Sequence, residues 1–220
     1  MNFDFSEDQK FLGDQARKYL SEQCTTAEVR KVLNDDGMAC HESLWNGIAE
    51  MGWLGTAIPE EYGGLGLGML ELCVLAEEIG RALAPVPFSS TVYMLAEALK
   101  LGGSEAQKQA LLPEIAAGKV VGAYASSEGP GAPDLSALKT TFDGSKLNGT
   151  KIPVLDGDIA THALVTAAEN GGVSLVLVDL NQARKIHIAS GGSYQLELTS
   201  GQELPISRGR YPRVRERMGL

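Results

Sequence analysis

The spacing of apolar residues changes once along this 220-residue chain, near Gly118, and that change limits the possible folds more than any motif does. Before it, apolar residues recur three and four positions apart, as they must to line one face of a helix. From Lys119 onward the runs "KVVGAYAS", "ALKTTFDGSKLNGTKIPVL", "HALVTAAENGGVSLVLVDL" and "KIHIAS" are short, β-rich and punctuated by turn residues. Asp143-Gly144 and Asn170-Gly171-Gly172 read as hairpin turns. Helices first and strands afterwards predict an α+β fold: an all-helical domain over 1–118, then a middle β domain over 119–220 with an atypical tail from about residue 189.

Local signals place the helices. Ser6 and Gln9 have the spacing of a capping box, and Phe11, Leu12, Ala16, Tyr19 and Leu20 follow at helical intervals. Leu44, Trp45, Ile48 and Met51 predict a second helix that stops at Gly52. Leu70, Cys73, Val74, Glu77 and Glu78 predict a longer one, broken by Pro85 and Pro87 because proline removes a donor and clashes with the preceding turn. "STVYMLAEALKLGG" predicts another, and Ser104 caps a short helix leading to Leu111, Leu112 and Pro113.

The stretch "PEEYGGLGLG" invites a phosphate-loop reading, since bare backbone N–H groups can approach an anion closely. The dinucleotide spacing G-x-G-x-x-G fails, because Met69 stands where the third glycine belongs. A preceding strand and the P-loop lysine and hydroxyl are missing too. A structural turn is the expectation.

Composition narrows the function classes. Hydrophobic content of 44% with 21% charge is that of a globular chain. No apolar run approaches the ~18 residues of a membrane span. "MNFDFSEDQK" lacks a signal peptide's basic start and apolar core. Three cysteines without ligand spacing favour a reducing compartment, with the cytoplasm as the expected address. The last sixteen residues hold five arginines against one glutamate, a net +4 in a chain of −9, so residues 1–204 carry −13. So acidic a body argues against nucleic acid as a partner. His41, His162 and His187 are scattered, and no metal site is expected. Glu77 and Glu78 diverge by about 100° on a helix and read as a solvated face, and Lys151 reads as structural.

Taken in order, several stretches resemble an acyl-CoA dehydrogenase. "DFSEDQKFLGDQARKYL" is similar to the family's opening helix, and "LWNGIAEMGWLGTAIPEEYGGLGLGMLELCVLAEEIGRALAP" to its most recognisable helical stretch. "GSEAQKQALLPEIAAGKVVGAYASSE" resembles the passage into the middle domain, and "LNGTKIPVLDGDIATHALVTA" a pair of strands within it. The resemblance covers residues 2–182. It implies a helical domain, a β-barrel-like middle domain, FAD as cofactor and hydride acceptor, an acyl-CoA thioester as substrate and α,β-dehydrogenation as the reaction. It also implies dimers or tetramers. "EEIGRALAP" and "KIPVLDG" further resemble a branch that acts on bulky acyl groups, including steroid side chains. Some of those enzymes pair two unlike subunits, so a paralogous partner is one expectation.

The resemblance places flavin contacts at Tyr124, Ser126, Ser127, Ala132, Pro133, Pro153, Val154 and Leu155, with Pro133 also at the substrate thioester. The family pattern Tyr-x-x-Thr-Glu-Pro-x-x-Gly-Ser-Asp runs here as "YASSEGPGAPD", Tyr124 to Asp134, with Thr140 keeping the later threonine. Ser127 retains a hydroxyl and Glu128 and Asp134 are kept, but Gly129, Ala132 and Pro133 replace proline, glycine and serine. In the second segment, Asn-Gly-x-Lys-x-Trp-Ile-Thr, Pro153 replaces the tryptophan wall and Leu155 the threonine that reaches flavin N5. Proline and leucine side chains offer no hydrogen bond.

The family's catalytic glutamate sits in a C-terminal four-helix domain, which the resemblance implies is absent from these 220 residues. Glu128, Glu169, Glu197 and Glu203 read instead as solvated strand or turn charges, so no catalytic residue is assigned. From about Ala189 the sequence shows little of either helical or strand spacing. A change of reading frame near residue 185 is one expectation, checked by looking for the family's remaining helices in another frame of the downstream DNA. A basic arm for acidic partners is the other.

Overall fold

A computed structural model of the chain describes residues 4–35, 38–189, 193–198 and 203–206, with side chains up to residue 181. The chain divides into two compact units, Met1–Val120 and Val121–Leu220. As the change in spacing predicts, helices fill the first and strands the second.

In the helical unit the order is α1 (Glu7–Gln23), α2 (Thr26–Asn34), α3 (Glu42–Glu50), α4 (Met69–Arg81), a π-helical stretch (Ser89–Ala96) running on into α5 (Glu97–Gly102), and α6 (Glu105–Ala116). Ser6 and Gln9 form the expected capping box, and Ser104 and Gln107 form a second at the start of α6. α6 is longer than expected and passes through Pro113 to Ala116. α2 was not signalled by apolar spacing alone; Thr25 caps it by accepting the Glu28 N–H, and Val29 and Val32 are buried.

α1 and α4 run side by side in the same direction. Gln9 Nε2 donates to Glu71 at 2.8 Å, a Cβ on Gly13 would sit 3.2 Å from the Val74 side chain, and Arg17 Nη2 lies 2.6 Å from Glu78. Ala16 and Leu20 of α1 are buried with Leu72, Val74, Leu75 and Ile79 of α4. Phe11, Leu70 and Cys73 point outward instead. Glu78 corrects the expectation of a solvated pair: its side chain is 5% exposed, held by Arg17 and by Arg81 at 3.3 Å. The Arg17 hydrogen bond, set against the cost of burial, lowers its pKa.

The glycine stretch is a turn whose donors are all used internally. The N–H groups of Gly63, Gly64, Leu65, Gly66 and Leu67 donate to the carbonyls of Glu60, Pro59, Gly55, Ile58 and Thr56, and Gly68 N–H donates to the Glu71 carboxylate. None faces outward to meet an anion. Gly64 is required by close approach, because a Cβ there would overlap the Ile58 carbonyl.

The second unit is built on β4 (His162–Glu169), buried along most of its length. β1 (Gly122–Ala125) pairs with it in parallel from Gly122↔His162 to Ala125↔Val165, and β5 (Gly172–Asp179) pairs antiparallel over all eight residues. β2 (Thr141–Phe142) meets β4 in parallel at Ala168 and pairs with β3 (Leu147–Asn148). Ala123, Ala125, Leu147, Ala163, Val165, Ala167 and Val178 form the core of this mixed sheet. Both predicted hairpin turns occur, and Asn170 (φ 47°) and Gly171 (φ 79°) supply the two positive φ angles that a two-residue turn needs.

β6 (Ala183–Ala189), β7 (Ser193–Leu198) and β8 (Glu203–Ile206) make a three-stranded antiparallel sheet. This corrects the expectation that residues beyond Ala189 carry little pattern: Tyr194 pairs with Ile188 and Ile206, and Glu197 with Lys185 and Glu203. The arginine cluster from Arg208 to Arg217 lies outside the described residues.

Candidate functional site

The residues assigned to a flavin by resemblance lie at the end of β1 and on the loops that follow β1 and β3. Gly129 (φ 150°) and Gly131 (φ 100°) open the loop after β1. A cleft of about 240 Å³ lies against it, lined in part by Ser126, Glu128, Ala132, Pro133 and Leu138. Ser126, Ala132 and Pro133 therefore share one cleft. Tyr124, Ser127, Pro153, Val154 and Leu155 lie outside its lining. Tyr124 points outward from β1 between buried Ala123 and Ala125, while Val154 packs against the sheet core.

The two assigned segments touch each other. Ile152 N–H donates to the Ser127 carbonyl at 2.8 Å, beside an isolated parallel bridge between Glu128 and Ile152. Lys151, one residue earlier, turns inward: its side chain is 6% exposed, and Nζ lies 2.9 Å from Glu128 Oε1, 3.0 Å from Thr166 Oγ1 and 3.3 Å from the Ser126 carbonyl. Glu128 Oε2 accepts the Lys139 N–H at 2.7 Å and Oε1 the Thr140 N–H at 2.8 Å.

Glu128 thus corrects a second expectation, since it is an enclosed, fully engaged carboxylate and not a solvated turn charge. Burial works against its charge, yet the Thr140 hydroxyl, Lys151 and the two main-chain N–H groups outweigh burial and bring its pKa down to about 2. The Thr140 hydroxyl is itself buried and has no hydrogen-bond partner. It also faces Gly149, where a Cβ would collide with it. A carboxylate held so firmly ionised is a poor proton acceptor at neutral pH. Glu169 takes a short hydrogen bond from Ser174, and the side chains of Glu197 and Glu203 lie outside the described ones. Lys151 is structural, as the sequence indicates.

The polar rim of a flavin ring needs hydrogen-bond partners, and these segments supply few. Pro133 and Pro153 have no N–H, the Ile152 N–H is already engaged, and the Leu155 side chain is aliphatic and 64% exposed. Ile152 beside it is 58% exposed. Ser126 and Ser127 keep half-buried hydroxyls, and the unpartnered hydroxyl of Thr140 lies against Gly149. The side chains of these segments therefore offer few donors to the polar edge of FAD. Among the described residues, no group of three His, Cys, Asp or Glu side chains could hold a metal ion, and no helix is long and apolar enough to cross a membrane.

Comparison with known proteins supplies the class. The family model for the acyl-CoA dehydrogenase N-terminal domain matches residues 6–119. The acyl-CoA dehydrogenase FadE29 of Mycobacterium tuberculosis is 31% identical over 189 residues, covering 81% of this chain and 49% of its own length. A mitochondrial isovaleryl-CoA dehydrogenase of Solanum tuberosum is 37% identical over 131 residues, 57% of this chain and 32% of its own. Among solved structures, a variant of the Tcur3481–Tcur3483 steroid acyl-CoA dehydrogenase superposes with a TM-score of 0.74 at 30% identity, over 96% of this chain and 60% of that one. The ChsE4–ChsE5 complex of Mycobacterium tuberculosis superposes at 0.73 with 25% identity, over 93% and 54%.

The chain belongs to the acyl-CoA dehydrogenase family. FAD-dependent dehydrogenation of an acyl-CoA is that family's general reaction. The chain spans about a third to a half of the length of these curated relatives.

Proposed function

We propose that this chain supplies the helical and middle-sheet portion of a subunit in a heteromeric acyl-CoA dehydrogenase, shaping the acyl-CoA or flavin pocket of a paralogous partner while making few polar contacts to flavin itself. One observation carries the reading: the frame of the middle domain is intact around Glu128 and Lys151, yet Pro133 and Pro153 have no N–H and the Leu155 side chain offers no donor. Each hydrogen bond lost to a buried polar atom costs about 1–3 kcal/mol, so several losses lower flavin affinity by orders of magnitude. The likeness to the ChsE4–ChsE5 complex and to Tcur3481–Tcur3483, each named for two components, supports a partner of this kind. The substrate class under this reading is a bulky acyl-CoA, and the assembly removes hydrogens from Cα and Cβ with FAD as acceptor.

The test is a spectrum of the purified chain in the flavin absorption band, before and after adding FAD. A colourless protein that ignores FAD, and that binds stably to a flavin-bearing paralogue, is the expected outcome. A structured flavin band would replace this reading with a second one, that the chain holds FAD itself. The half-buried hydroxyls of Ser126 and Ser127 favour that alternative.

A further inference from the structure

The borders of the cleft are held by very little β-ladder. β2 and β3 are two residues each, and the segments 129–140 and 149–161 pass between strands with one isolated bridge, Glu128↔Ile152. Flexible segments of this length ordinarily open locally at small free-energy cost. What crosses them is the ion pair. Lys151 has an acceptor for each of its three hydrogens, drawn from Glu128, the end of β1 and β4. The Glu128 carboxylate in turn anchors the far end of the 129–140 loop through the N–H groups of Lys139 and Thr140.

A buried ion pair is an expensive way to gain stability, because a hydrophobic pair of similar volume often does as well. A hydrophobic pair could not accept two main-chain N–H groups, nor fix which carbonyl and hydroxyl face a neighbouring strand. We propose that Glu128 and Lys151 are positioning residues: the pair locks the 129–140 loop and the Lys151–Leu155 segment onto the ends of β1 and β4 and so sets the shape of the cleft. The two members are not equivalent. Without Lys151, the Glu128 carboxylate still holds Lys139 and Thr140. Without a carboxylate at 128, an enclosed ammonium loses its anionic partner and two main-chain donors lose the charge they donate to, all together.

Residue-resolved amide hydrogen exchange on the full chain tests this. Glu128→Gln is expected to speed exchange at Lys139, Thr140 and Ile152 by roughly tenfold or more, while the β4–β5 ladder around Val165 and Val176 keeps its wild-type protection. Lys151→Gln, the milder variant should Glu128→Gln fold poorly, is expected to speed Ile152 more than Lys139 and Thr140. The exchanged pair Glu128→Lys with Lys151→Glu should not restore protection at Lys139 and Thr140, since an ammonium cannot accept their N–H groups. A uniform rise that includes the β4–β5 ladder would reduce the pair to a contributor to global stability. No change at the three amides, or their rescue by the exchanged pair, would overturn the proposal. Flavin binding, present or absent, does not alter these outcomes.

Discussion

The glycine turn of the helical unit and the cleft of the sheet unit both look like ligand loops in sequence, and they differ in where their hydrogen bonds go. In the turn, six consecutive N–H groups from Gly63 to Gly68 are satisfied by carbonyls and one carboxylate within about a dozen residues. In the cleft, the holding contacts span 11 to 25 residues and pass through two side chains, Glu128 and Lys151. Local satisfaction fixes a shape by backbone geometry alone. Long-range satisfaction fixes one through a charge that can be removed.

That contrast can be broken most forcefully in the turn. Gly64→Ala should cost more than about 3 kcal/mol, because the new Cβ meets main-chain atoms of Ile58 that cannot move aside. Urea denaturation followed by helical circular dichroism measures it, and a loss below about 1 kcal/mol would mean the turn is looser than described. Gly144→Ala, at φ 93° with open space around it, should cost only about 1–2 kcal/mol.

Acid should act on the cleft next. The folded pKa of Glu128, about 2, lies below its ordinary 4.5, so the unfolded chain binds the proton more readily. Its stabilising contribution is full above about pH 4.5 and fades as pH falls toward 2, an effect of up to about 3 kcal/mol. Comparing urea midpoints at neutral pH and near pH 3, the wild type should lose more than Glu128→Gln does. Equal losses would place the acid sensitivity elsewhere.

Smaller effects sharpen the comparison within the helical unit. Glu78→Gln should cost about 1–2 kcal/mol, less than a fully enclosed pair, because Arg17 is half exposed and regains water. Ser6→Ala and Ser104→Ala should each cost about 1 kcal/mol by removing a cap. These are read as shifts of the denaturation midpoint at constant slope, and a changed slope would signal altered compactness instead.

The same contrast explains what could be read from sequence. Caps at Ser6 and Ser104, the stop at Gly52 (φ 76°) and the Asn170-Gly171 turn depend on neighbours a few residues apart, and all were legible. The family resemblance, too, was carried by contiguous stretches. Glu78 and Glu128 were misread because nothing local marks a carboxylate whose partner lies 61 or 23 residues away. Once Arg17 is known to sit opposite Glu78, burial follows, but that proximity is a product of the fold. β7 and β8 escaped although Tyr194, Leu196 and Leu198, then Leu204 and Ile206, stand at alternate positions, because the two runs are short and Pro205 breaks into the second.

The parallel run of α1 beside α4 has an evolutionary corollary. Gln9, Gly13 and Arg17 meet Glu71, Val74 and Glu78 with a nearly constant offset, one contact per helical turn. A single inserted or deleted residue within either helix would rotate everything beyond it by about 100° and break successive contacts together. The same insertion in a connection between the two helices, outside α2, α3 and the glycine turn, leaves the offset geometry intact and merely renumbers it. Lineages are therefore expected to confine length changes between Gln23 and Met69 to the connections around α2 and α3 while keeping α1 and α4 free of them.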